Sequence, residues 1–156
     1  MGLHVHVRCN CLKDGEAAPH PLPDLLRFDE NGEPYLAWEQ GISDSQWALH
    51  EKWSEQGCPH MDGFLVFKHL GNIGSIAHVR AYVEPLAVTH FPLLSEMVIY
   101  LGTHGGDSIS AHYAIVLLKE VRFLTEGTSD PNLKKFAADM IELCEASAAT
   151  GNPIVF

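Results

Sequence analysis

Leu3, Val5 and Val7 alternate with His4, His6 and Arg8, and a period of two predicts a β-strand over residues 3–9 with one face toward a core. Cys9 and Cys11 continue on the buried parity, so both thiols are expected to point inward while His4, His6, Arg8 and Asn10 point out. The pattern then dissolves. Residues 12–39 are rich in Pro, Asp, Glu and Gly, with Pro19, Pro21 and Pro23 at alternate positions, which reads as an extended surface loop. Within it, Leu25–Phe28 and Tyr35–Trp38 flank the turn signal Asp29-Glu30-Asn31-Gly32 and predict a short hairpin with Gly32 at positive φ.

Helical periodicity takes over after residue 42. Ser43 with Gln46 three residues on matches a capping box, Ile42 and Trp47 fit a hydrophobic staple, and Gly57 is placed to end the helix in the left-handed conformation. From Met61 to Leu70, Phe64, Phe67 and Leu70 at three-residue spacing suggest a helix, while the run Phe64-Leu65-Val66-Phe67 would equally serve as a buried strand. A helix over 75–84 carries Ile76, Val79 and Val83 on one stripe and stops at Pro85. A further helix is expected over about 109–126, with Ala114, Leu117, Leu118 and Val121 on one face and Asp107 or Ser108 as its cap. The final helix has Asp130 as N-cap, Pro131 at its first position, the stripe Leu133, Phe136, Ala137, Met140 and Cys144, and Gly151 as its stop. Pro153–Phe156 is apolar enough to pack back or add an edge strand. These elements predict an α+β fold in which four or five helices dominate a small sheet containing the N-terminal strand.

At 156 residues the chain is expected to form a single domain, residues 1–156, able to bury about 70% of its unfolded surface. It has no apolar run long enough to span a membrane, so no membrane partner is expected. The net charge of −10 lies toward the N-terminus: residues 1–62 hold 11 acidic and 4 basic side chains, residues 63–156 hold 9 and 6. Such a surface repels nucleic acid and favours basic partners.

The chemistry-bearing residues are Cys9-Asn10-Cys11 and Cys58-Pro59-His60. Three thiols and an imidazole are soft ligands of the kinds zinc takes, and four complete a closed tetrahedral site, so a structural zinc on Cys9, Cys11, Cys58 and His60 is expected. The alternatives are three small buried hydrophobes with a surface histidine, or a Cys9–Cys58 disulfide. The start Met1-Gly2-Leu3-His4 lacks a basic segment followed by a long apolar one, so a reducing cytoplasm is the expected compartment. The glycine-rich loop Gly102-Thr103-His104-Gly105-Gly106-Asp107 lacks the spacing and lysine of a phosphate-binding loop. His60, His104 and Asp107 sharing a catalytic ion would make a zinc-dependent hydrolase, the alternative to a binding protein. Two thiolates from Cys9 and Cys11 with Cys58 and His60 would instead leave no place for a reacting water.

The succession Gly2-Leu3, Val7-Arg8-Cys9-Asn10-Cys11, Cys58-Pro59-His60, the 102–107 loop and Thr150-Gly151-Asn152-Pro153 resembles a family of small bacterial proteins of the type found beside secreted polymorphic toxins. The resemblance implies an immunity protein that binds and neutralises a cognate toxin. A basic active-site cleft on that toxin would suit the acidic N-terminal half. Asp29, Glu30 and Glu33 are then candidates for steering and Trp38 for an aromatic anchor, with core packing the preferred role of Trp47.

Overall fold

A computed structural model describes residues 2–102 and 104–156; Thr103 of the glycine-rich loop lies outside the described residues. The elements in order are β1 (Gly2–Arg8), β2 (Leu26–Phe28), β3 (Pro34–Leu36), α1 (Asp44–Gln56), β4 (Phe64–Asn72), α2 (Ile73–Val83), α3 (Ala87–His90), β5 (Ser108–Ile109), α4 (Ala111–Gly127), α5 (Pro131–Thr150) and β6 (Ile154–Val155). The fold is α+β, predominantly helical, with a small sheet that includes the N-terminal strand. The chain groups into two compact units, residues 1–7 with 66–156, and residues 8–65.

The larger unit contains the apolar core. Its sheet runs β4-β1-β6-β5, with β6 antiparallel to both neighbours: His6 pairs with Val155 and Ile109 with Ile154. The C-terminal segment is therefore an interior strand, where the sequence suggested an edge. Alternation on β1 is as expected, with Val5 and Val7 buried and His4 exposed. The ambiguous 61–70 stretch is strand β4, so the three-residue phenylalanine spacing is no helical stripe; Phe67 lies on the exposed side. The helix caps are those expected for α5, with Asp130 accepting from Asn132 and Leu133 and Gly151 left-handed at φ 74°. Cys144 is fully buried on that helix's core stripe.

The cap of α4 differs from expectation. Ser108 and Ile109 are drawn into the sheet by β6, so the helix starts two residues later and Ser110, not Asp107 or Ser108, is its N-cap. On α4, buried Glu120 accepts from the N–H groups of Leu93 and Leu94 at 3.1 and 2.8 Å. It thereby satisfies donors at the start of a wide turn, Leu94–Val98, in which the Ile99 N–H reaches back five residues to the Leu94 carbonyl.

The smaller unit has far less to bury. Across residues 8–65 the buried apolar side chains are Cys11, Leu36, Ala37 and Trp53, joined by His20. The hairpin forms as expected, with Leu26 paired to Leu36, Phe28 to Pro34, and Gly32 at φ 80°. The capping box on α1 is present in full. Two expectations at α1 fail. Gly57 is right-handed (φ −68°, ψ −21°), and it is glycine because a Cβ there would lie 2.6 Å from the Trp53 carbonyl oxygen and 3.0 Å from its Nε1. Trp47 is 46% exposed, while Trp53 is the buried tryptophan; six residues apart, the two point about 120° from one another around the helix. A unit this size with so small an apolar core belongs to the range in which disulfides or metals supply what packing does not.

Candidate metal centre

Cys9 follows the last residue of β1, and its backbone N–H donates to the Gly63 carbonyl at 2.9 Å. Gly63 in turn donates to the His60 carbonyl at 3.0 Å, across a turn in which Asp62 (φ 54°) and Gly63 (φ 74°) are both left-handed. Asp is among the few residues that tolerate this conformation. That reversal folds the Cys58-Pro59-His60 segment back against the end of β1. On the other side, the chain after β1 curls around Cys11, whose carbonyl accepts from the Glu16 and Ala17 N–H groups at 2.7 and 3.0 Å. The same loop is fastened to the end of α1, where the Ala18 N–H donates to the Gly57 carbonyl at 2.6 Å and the Trp53 indole N–H donates to the Ala18 carbonyl at 2.8 Å.

These constraints bring Cys9, Cys11, Cys58 and His60 together. Their ligating atoms all lie within 4.8 Å of one another, and the group can hold a metal ion. Cys9 Sγ is 3.8 Å from Cys58 Sγ, and His60 Nδ1 is 3.3 Å from Cys11 Sγ and 4.0 Å from Cys58 Sγ. With zinc bonds of about 2.3 Å to sulfur and about 2.0 Å to nitrogen, a tetrahedron has edges of about 3.8 Å between sulfurs and about 3.5 Å between sulfur and nitrogen. These three separations lie close to those edges. No disulfide joins Cys9 to Cys58. Burial, with the neighbouring Cys9 and Cys58 adding to it, pushes the Cys11 thiol up to about 12. So placed, the Cys11 thiol resists ionisation, and a bound cation would reverse that balance and expel its proton.

Arg8, expected only to point outward, secures this corner. Its guanidinium forms an ion pair with Glu33, donates to the Asp62 carbonyl at 3.3 Å and lies 5.5 Å from the centre of the Phe64 ring. Glu33 is thus engaged inside the unit, whereas Asp29, Glu30 and Trp38 are exposed; Asp29 also caps its own turn, accepting from the Asn31 and Glu33 N–H groups. Sequence separation of 25 residues conceals the Arg8–Glu33 pair.

A histidine pair was equally hidden. The Leu22 N–H donates to His20 Nδ1 at 3.0 Å, which makes that nitrogen an acceptor and leaves His20 Nε2–H to donate to His50 Nδ1 at 3.0 Å. Trp53 packs against both rings, edge-on to His20 at 4.6 Å and stacked with His50 at 6.1 Å. Burial lowers the pKa of each, and for His50 the charge on His20 adds to the effect.

His104 and Asp107 belong to the other unit and are not members of the metal-ligand group. His104 Nδ1 is 3.6 Å from the Asp107 carboxylate, which accepts from the Tyr100 hydroxyl. Among the described residues no helix is long and apolar enough to cross a membrane. No family model matches the chain, and comparison with curated proteins and with solved structures finds no match.

Proposed function

We propose that the chain is an immunity-type binding protein, braced by a structural zinc ion, that neutralises a cognate bacterial toxin by direct contact. The observation that supports the zinc is the convergence of three sulfurs and one imidazole nitrogen within 4.8 Å of one another. Four protein ligands leave no coordination position for a reacting water, which favours a structural ion over a hydrolase. Ligands drawn from both ends of the 8–65 unit let one ion tie together a segment with little apolar core. Unoxidised thiols at this spacing suit a reducing compartment such as the cytoplasm.

The binding role is supported by the acidic excess in residues 1–62 and by aromatic side chains left outside the core, Trp38 at 68% and Trp47 at 46% exposure. Such a surface would suit a toxin with a basic active-site cleft, with charge speeding encounter and aromatic groups slowing release. The test is co-expression with the protein encoded next to this gene. Rescue of growth, together with co-purification of the two proteins, is the expected result. A partner whose toxicity is unchanged, or a metabolic operon with zinc-dependent hydrolysis lost on Cys9→Ser, overturns the reading.

A further inference from the structure

Of the thirteen residues of α1, only Trp53 is buried. A helix of this length ordinarily hides a stripe of three or four side chains per two turns. Trp47, His50, Glu51, Ser54 and Glu55 fall at i, i+3, i+4, i+7 and i+8, one continuous face, and with Asp62 they line an open groove of about 640 Å³. The groove lies wholly within the 8–65 unit.

Its lining joins an indole to three carboxylates and holds no lysine or arginine. Glu51 and Glu55 stand one turn apart, a like-charge spacing that weakens a helix, and neither has an ion-pair partner among the described residues. Trp47, 46% exposed, lines the groove with them, and its ring stands T-shaped to that of His50 at 6.1 Å. An exposed tryptophan flanked by unneutralised carboxylates is the arrangement that takes a guanidinium or ammonium group, the ring by cation–π contact and the carboxylates by charge-assisted hydrogen bonds.

We infer that this face of α1 is a docking groove for an arginine- or lysine-bearing segment of a basic protein partner. The inference rests on the proposed binding role and narrows it from the acidic half of the chain to one helix face. A second copy of this chain, at net charge −10, or a nucleic acid would meet repulsion there.

The experiment titrates the full chain with a fluorescein-labelled decapeptide of alternating glycine and arginine, read by anisotropy at low ionic strength. Trp47→Ala is expected to weaken binding about fivefold, and Glu51→Gln with Glu55→Gln about tenfold. Glu84→Gln with Glu126→Gln removes the same charge from exposed positions of the other unit and is expected to change binding less than about twofold. The paired α1 variant should melt at or above the wild-type temperature, because it relieves a repulsion, so its weaker binding is not unfolding. Equal losses in the two paired variants would reduce the effect to net charge and overturn the proposal. So would groove variants that bind like wild type, or a wild-type chain that does not bind the peptide. Zinc content and growth rescue are read separately, so failure here is distinguishable from failure of the broader reading.

Discussion

Trp53 is the side chain on which α1 and the ligand loop meet, and its removal should loosen the metal as well as the helix. It is 9% exposed, donates its indole N–H to Ala18, and packs against His20 and His50. Trp53→Phe deletes that donor, at a cost of about 1 kcal/mol for a neutral hydrogen bond, and leaves unfilled volume worth about another 1 kcal/mol. Trp53→Ala should cost about 3–5 kcal/mol. If the 8–65 unit folds around its metal, the same free energies are lost from metal affinity, so Phe should weaken binding about thirtyfold and Ala a hundredfold or more, at about 1.4 kcal/mol per decade. Competition with a chromophoric zinc chelator measures the affinity, and far-ultraviolet circular dichroism follows the helix. Unchanged zinc affinity in Trp53→Ala, with the protein still folded, would refute the coupling between this side chain and the site.

Cys9→Ser should lower the melting temperature of the metal-loaded protein and abolish the further drop that a chelator produces in wild type, a linkage worth about 4 kcal/mol when free metal is a thousandfold above its Kd. Cys144→Ser, at a fully buried position on α5, should cost about 1–3 kcal/mol for an unpaired hydroxyl and leave the metal content unchanged by elemental analysis. The pKa values of His20 and His50 are depressed, so the unfolded chain binds more protons than the folded one once the pH drops below about 6.5. Stability should therefore be flat above that value and fall as the pH is lowered toward the depressed pKa values. Denaturant titrations should show a shallower fall for His50→Gln than for wild type, which shares the same metal ligands. His104→Ala and Asp107→Ala should leave zinc content and partner binding intact; loss of either would return the 100–107 loop to the active chemistry.

What the sequence made legible was chemistry that acts over a few residues. Asp130, Pro131 and Gly151 bound α5 because caps are local, and the Ser43–Gln46 box is local in the same way. The candidate ligand set was legible because two thiols, or a thiol and an imidazole, two residues apart form short recognisable pairs. What joins the pairs was not. It depends on a left-handed Asp62–Gly63 turn and on the hydrogen bond from Cys9 to Gly63, more than fifty residues away. Strand β6 gave no sign that it would pair on both sides, and through β5 it moved the start of α4 from the expected cap to Ser110. The misassigned tryptophan has a related cause. A staple at Trp47 is a local expectation, whereas the burial of Trp53 depends on Ala18 and His20, brought in by a loop without regular periodicity.

Closure of three thiolates and one imidazole around an ion is tested by metal analysis of tag-free protein purified under reducing conditions, followed by X-ray absorption at the zinc edge. The expected result is about one zinc per chain with three sulfur neighbours at about 2.3 Å and one nitrogen at about 2.0 Å. Absence of stoichiometric metal, or a coordination sphere containing a water oxygen in place of one of Cys9, Cys11, Cys58 and His60, would contradict it.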